Sequence, residues 1–204
     1  MSSSSIELYV KLAMYAKILL IAQKNLLLVG APGTGKTRLA RLIVAGCTND
    51  LSEPIIVVGR DGLSYDRLVA YYSSENGSIA LRFGELSQAV LSSWVRIGRG
   101  LGPRYLLIDE LNRCNADVLL GEVFTALDVE HRMKIPVIRG HAYYYIKRLI
   151  EEGVENSYKD LGLDAPEELE ILRKIVSEIE KRSEIDGIPM PYAFRILATM
   201  NIYD

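Results

Sequence analysis

The run Gly30-Ala31-Pro32-Gly33-Thr34-Gly35-Lys36-Thr37 has the residue types and spacing of a polyphosphate cradle, G-x-x-x-x-G-K-[ST]. Glycines at these places let the main chain wrap closely around an anion, so that successive N–H groups and the start of the following helix point at it. Lys36 can then reach the terminal phosphates and the Thr37 hydroxyl can ligate magnesium. Arg38, the next residue, joins the candidate nucleotide-contacting set. The competing reading, a glycine-rich turn with an accidental Lys-Thr pair, is disfavoured because a strand-like run precedes the motif and a helical pattern follows it, as the chemistry requires.

Asp109 and Glu110 are adjacent carboxylates that close the apolar run Tyr105-Leu106-Leu107-Ile108. Ligands of open α/β sheets collect at the carboxyl ends of strands, so both acids would face the phosphate cradle. Asp109 is the candidate to hold the magnesium shell, and Glu110 the candidate to polarise an attacking water in an in-line phosphoryl transfer. Asn201 ends a later apolar run in the same way, and an amide there can orient water or touch the terminal phosphate. Taken alone it reads equally well as an ordinary turn residue.

The elements that must position these groups follow from apolar periodicity. Ahead of the cradle, Ile6, Val10, Ala13, Met14, Ile18 and Ile21 recur at three- and four-residue steps and predict an amphipathic helix. Residues 26–29 predict a short strand, and 38–47 resume a helical pattern through Leu39, Leu42 and Ile43. The continuous apolar runs at 54–58, 105–108 and 194–200 have the character of strands buried on both faces of a parallel sheet. Between 66 and 104 a helix-like stretch is broken at Asn76-Gly77, a dipeptide that favours a tight hairpin, and a helix is expected over 84–97. Asn115 can cap a helix over 116–127, and 133–138 reads as a short strand. Residues 141–152 and 165–182 read as two helices, with Tyr145, Ile146, Leu149 and Ile150 of the first packing on Leu169, Leu172, Val176 and Ile179 of the second. The expected fold is a three-layer α/β/α domain with a mainly parallel sheet. Residues 1–24 form an N-terminal helix and linker, 25–204 the nucleotide-binding domain, and about 139–187 a separable helical insertion.

Composition narrows the class. The 204 residues suffice for one sizeable core. Lys plus Arg number 24 against 26 Asp plus Glu, a net charge of −2 that gives no bulk basicity for binding nucleic acid or an acidic membrane. With 49% hydrophobic and 25% charged residues the chain is neither disordered nor fibrous. Cys47 and Cys114 stand apart, without a Cys-x-x-Cys or Cys/His cluster, and read as small buried apolar residues. His131 and His141 lack H-E-x-x-H spacing, so no metalloenzyme is indicated. Tyr143, Tyr144 and Tyr145 read as divided between core and rim rather than as a stacking platform. The apolar stretch 18–22 is far short of a membrane span, and Met1 to Ser5 lack the charged start of a secretory signal, so a cytoplasmic location and no membrane partner are expected.

The cradle, the segment LLIDELNR at 106–113 and the segment FRILATMN at 194–201 together resemble the AAA+ ATPases, especially their MoxR-type, dynein-related and McrB-like branches, which carry similar DEINR and TMN signatures. The resemblance covers residues 25 to 204 apart from the insertion. It implies a P-loop NTPase fold of the ASCE type, with a Walker A at 30–37, a Walker B with Asp109 at the magnesium and Glu110 catalytic, and a sensor-one residue at Asn201. It also implies Mg-ATP hydrolysis in a ring, usually hexameric, that remodels a protein or nucleoprotein partner, and it likens the hairpin near Asn76-Gly77 to the helix-two insertion of these branches. GTP use, as in the McrB-like motors, stays open beside ATP, and so does a non-hydrolysing nucleotide-dependent switch. Two departures stand out. In the family an arginine finger, a fifth strand beside the first and a helical lid follow sensor one, whereas this sequence stops at Asp204; the expectation is an incomplete motor with residues 26–29 as an exposed edge. The spacing between Glu110 and Asn201 is also lengthened by the insertion, a candidate partner-binding device. Arg113 matches the arginine of DEINR and is not assigned the finger role.

Overall fold

The computed structural model describes residues 3–48, 50–75, 77–153, 157–182 and 186–202. Four parallel strands form the central sheet: β1 (Leu26–Gly30), β2 (Ile55–Val58), β5 (Leu106–Asp109) and β8 (Ile196–Asn201), in the order β1-β8-β5-β2. The interior strands β5 and β8 are the most buried. Leu106, Leu107 and Ile108 of β5 are wholly buried, as expected of a strand covered on both faces. Alternation along β5 then divides the core. Leu107 and Leu197 face α1 (Ser3–Ile21) and α2 (Lys36–Cys47), while Leu106, Ile108, Ile196 and Ala198 face α4 (Glu85–Gly98) and α5 (Ala116–Leu127). The result is a three-layer α/β/α domain of P-loop NTPase architecture with a mainly parallel sheet and helical insertions.

A hairpin stands between α3 (Tyr65–Val69) and α4. Its strands β3 (Ala70–Glu75) and β4 (Ser78–Phe83) pair antiparallel from Ala70↔Phe83 to Glu75↔Ser78. Gly77 has φ +79°, the left-handed conformation a two-residue connection needs; Asn76 lies outside the described residues. Asn115 caps α5 as expected, its side chain accepting from the Asp117 and Val118 N–H groups.

Four expectations change. The first helix is apolar on every side rather than amphipathic. Ala16 and Leu20 are buried against α2, whereas Val10, Met14, Ile18 and Ile21 are exposed; the Ile6 side chain lies outside the described residues. With Leu8, Leu12 and Leu19 also apolar, periodicity cannot choose a face, and the small contact surface of α2 around Ala40 does so instead. The strand expected over 133–138 shortens to β6 (Pro136–Ile138), which pairs with the two-residue β7 (Ile188–Pro189), a partner too short to leave a periodic signal. The insertion is not separable. Its α6 (Gly140–Glu152) and α8 (Glu168–Arg182) pack on each other as expected, beside the single-turn α7 (Ser157–Asp160), but they share one core with α4 and α5, and Arg99 of the α4 end pairs with the buried Glu168. Cys47 and Cys114 are half-buried rather than buried.

Among the described residues β1 pairs only with β8, and its outer side chains Leu27 and Val29 are 49% and 51% exposed, the edge expected from the sequence. No described helix is long and apolar enough to cross a membrane.

Because Leu107 is wholly buried in the strand on which both layers pack, Leu107→Ala is expected to cost about 2–5 kcal/mol, read by urea denaturation followed by circular dichroism. A loss below about 1 kcal/mol would contradict the central role given to β5.

Candidate functional site

Pairing register brings the separated motifs together. In β1 against β8, Gly30 lies opposite Asn201, and in β2 against β5, Val58 lies opposite Asp109. The four carboxyl ends therefore open at one edge of the sheet, beside the amino end of α2. The cradle turns through Gly33 at φ +74° and Gly35 at φ +81° before α2 begins at Lys36. A Cβ at either glycine would meet nothing within 4 Å, so the backbone conformation, not crowding, is what favours glycine there.

A cavity of about 290 Å³ is lined by Pro32, Gly33, Gly35, Lys36, Thr37, Asp109, Glu110, Thr199 and Asn201. Seven of the candidates from the cradle and strand ends thus share one wall with Asn201. The other three stand just outside it. Gly30 contributes its carbonyl to Lys36, Thr34 turns inward to hydrogen bond the Ala31 carbonyl at 2.8 Å, and Arg38 is exposed on the first turn of α2.

Hydrogen bonds knit the cavity floor. The Lys36 ammonium donates to the Gly30 and Ala31 carbonyls at 3.0 and 2.8 Å and to the Asn201 amide oxygen at 2.8 Å. The Thr37 hydroxyl donates to Asp109 Oδ1 at 2.7 Å. Hydroxyl and carboxylate thus stand where a divalent cation would be held between them. Glu110 has φ +56°, unusual for a residue with a side chain, so the chain reverses at the strand end. Its carboxylate pairs with Arg113 at 2.9 Å.

Three residues were not singled out by the sequence. Thr199 donates to Asp109 Oδ1 at 2.6 Å and accepts from the Glu110 N–H at 3.0 Å, tying both acids to β8. It lies two residues before Asn201, hence on the same strand face, and that spacing was the available signal. Asn112 accepts from the Asn201 N–H at 3.1 Å. Gly59 donates to the Asp109 carbonyl at 2.7 Å, and a Cβ there would fall 2.2 Å from the Glu110 carbonyl oxygen. A glycine directly after a strand was its only mark.

Thr199→Val keeps the shape of the side chain and removes both bonds. Hydrolysis is expected to fall roughly ten- to a hundredfold through misplacement of Asp109 and Glu110, with nucleotide still bound through the cradle, as read by phosphate release beside equilibrium binding. Unchanged turnover would show that Thr199 does not position the acids.

The family model described as AAA domain (dynein-related subfamily) matches residues 25–204. No curated protein matches the sequence significantly. Among solved structures, the chain is similar to the crystal structure of a "putative ATPase" from Cytophaga hutchinsonii, at 15% identity and a TM-score of 0.38, covering 98% of this chain and 44% of that one. The chain thus spans less than half of that protein, and at this TM-score the likeness adds nothing to the assignment. With the family model covering most of its length, the chain belongs to the dynein-related subfamily of AAA domains.

Proposed function

We propose that this domain binds Mg-ATP at the cradle and hydrolyses it, working within a ring of subunits to remodel a protein or nucleoprotein partner. The observation that carries the reading is the convergence of Lys36, Thr37, Asp109, Glu110 and Asn201 on one cavity. Each group has a physical part. The N–H groups of the cradle and the start of α2 hold phosphate oxygens. Lys36, already held between loop carbonyls and Asn201, is placed to exchange one of these partners for a terminal phosphate. Among the described residues no group of three or more His, Cys, Asp or Glu side chains gathers to hold a metal. Magnesium is commonly held by one or two protein oxygens together with substrate phosphates and waters; Thr37 and Asp109 would supply those oxygens, and magnesium would neutralise charge on the transferring phosphoryl group. Glu110 would orient the attacking water, with Asn201 at the terminal phosphate. Ring assembly, and Arg38 as a nucleotide contact, follow from the family rather than from the geometry.

A second reading is a nucleotide-dependent switch that turns over little by itself, favoured by the pairing of the Glu110 carboxylate with Arg113. The carboxylate oxygen engaged by Arg113 is withheld from an attacking water. Both residues are partly solvent-exposed, so the clamp is a weak one, worth about 0–1 kcal/mol.

Phosphate release from ATP and from GTP, measured over a wide range of protein concentration, tests both readings. Motor function predicts turnover that rises more steeply than concentration, prefers ATP and disappears in Glu110→Gln. Turnover no higher than that of Glu110→Gln, with nucleotide bound, would favour the switch, and a preference for GTP would overturn the choice of base. Arg113→Ala is expected to raise basal turnover by a few-fold if the clamp restrains Glu110, a change within about 1 kcal/mol; a fall would show that Arg113 serves the reaction.

A further inference from the structure

Two guanidiniums lie together in the interior, and among the described residues neither is clasped by a carboxylate. Arg132 and Arg195 are each 2% exposed. Arg132 donates to the Tyr192 carbonyl at 3.1 Å and to the Leu127 carbonyl at 2.7 Å. Arg195 donates through Nη1 alone, to the same Tyr192 carbonyl at 2.6 Å and to its neighbour the Phe194 carbonyl. The Nε of each is buried without an acceptor, and among the described residues neither makes an ion pair. The contrast within the same molecule is Arg96, 3% exposed, which Asp50 clasps with both carboxylate oxygens at 2.7 and 2.9 Å. Burial, together with the neighbouring charge of Arg132, pushes Arg195 down to about 10, and burial lowers Arg132 although Asp128 acts against it. Buried charge without a counterion is costly, so an anion brought to this pair would be bound strongly.

The pair adjoins a way in. A cavity of about 350 Å³ between the end of α1, α4 and the turn before β8 is lined by Arg195 together with Leu20, Ile21, Trp94, Ile97 and Tyr105. Tyr105 is 5% exposed, and its hydroxyl makes no hydrogen bond among the described residues; burial pushes it up to about 12, so it stays protonated and able to donate. Buried tyrosine hydroxyls usually have a partner. With Nη1 occupied and Nε sealed from solvent, Nη2 is the nitrogen of Arg195 left for a ligand's acceptor, a charge-assisted donor suited to a carboxylate oxygen. Apart from Gln23 the remaining walls are hydrocarbon and aromatic, and the volume falls within the range of small-molecule clefts, roughly 300–1,000 Å³.

We propose that this cavity binds a small carboxylic acid with an apolar body, its carboxylate accepting from Arg195 and the Tyr105 hydroxyl and its hydrocarbon lying against Leu20, Ile21, Trp94 and Ile97. The cavity sits at the amino end of β8, whose six residues separate it from Asn201 by roughly 20 Å. It is therefore a second site on the strand that carries Thr199 and Asn201, and its ligand does not depend on the nucleotide reading.

Titration calorimetry of the full chain with octanoate tests the proposal, with octanol, acetate and sulfate as comparisons. Saturable binding of octanoate is expected, and all three comparisons should bind at least about tenfold more weakly, since each lacks either the charge or the apolar body. Arg195→Met should weaken octanoate by roughly ten- to a hundredfold, the loss of charge-assisted hydrogen bonds. Ile97→Trp keeps both arginines and fills the wall, and it should weaken octanoate similarly, so that the test survives a misfolded Arg195→Met. No saturable octanoate binding at millimolar concentration, undiminished binding in Ile97→Trp or in folded Arg195→Met, or octanol or sulfate binding as tightly as octanoate would each overturn the proposal.

Discussion

The site depends on β8 lying between β1 and β5. Those two pairings are parallel and in fixed register, and they set Gly30 beside Asn201 and Ala198 beside Ile108. From that placement alone, Thr199 meets Asp109, Asn201 meets Lys36, and motifs more than 70 residues apart in sequence share a cavity. Strand register leaves little freedom, because a one-residue slip would turn every buried side chain of β8 to the opposite face. The wholly buried Leu197, packed on the α1–α2 side, and Ile196 and Ala198, packed on the α4–α5 side, oppose such a slip. Hydrophobic packing thereby fixes the positions of polar groups at the strand ends.

Polar contacts at the edge add direction to that placement. Asp109 Oδ1 accepts from two threonine hydroxyls, and Glu110 is held by its backbone to Thr199 while its side chain reaches Arg113. The left-handed turn at Glu110, for which Gly59 leaves room by lacking a side chain, stores a modest local cost of about 1–2 kcal/mol. Such strain persists because the surrounding sheet determines the chain path on both sides. The acid proposed to orient water is thus presented by the backbone rather than by a flexible rotamer.

Much of this was legible in the sequence because the signals were local. The cradle motif, the acidic pair after Ile108 and the apolar run ending at Asn201 each marked a strand end, and strand ends on one edge of a parallel sheet converge. What escaped was relational. Thr199 is an unremarkable hydroxyl until its register against Asp109 is known, and Gly59 matters because a Cβ there would fall 2.2 Å from the Glu110 carbonyl oxygen, a constraint that no local pattern encodes. The α1 face was misjudged because a helix apolar on all sides has no preferred side until a partner supplies one. The insertion looked separable because its helices satisfy each other in sequence, whereas α8 also covers α4 and Glu168 anchors Arg99. The buried Arg132–Arg195 pair gave no sequence signal at all, since nothing local distinguishes an arginine that snorkels from one sealed inside.

The central claim is that the cradle and the Thr37–Asp109 pair form one magnesium-dependent nucleotide site. Calorimetric binding of a non-hydrolysable ATP analogue, with magnesium and then with the metal chelated, tests it most directly when Lys36→Ala and Asp109→Asn are carried through the same titrations. The account predicts binding that chelation weakens in the native chain, that Lys36→Ala nearly abolishes, and that in Asp109→Asn loses its sensitivity to magnesium. Equal affinity with and without magnesium, or binding undiminished in Lys36→Ala, would contradict it.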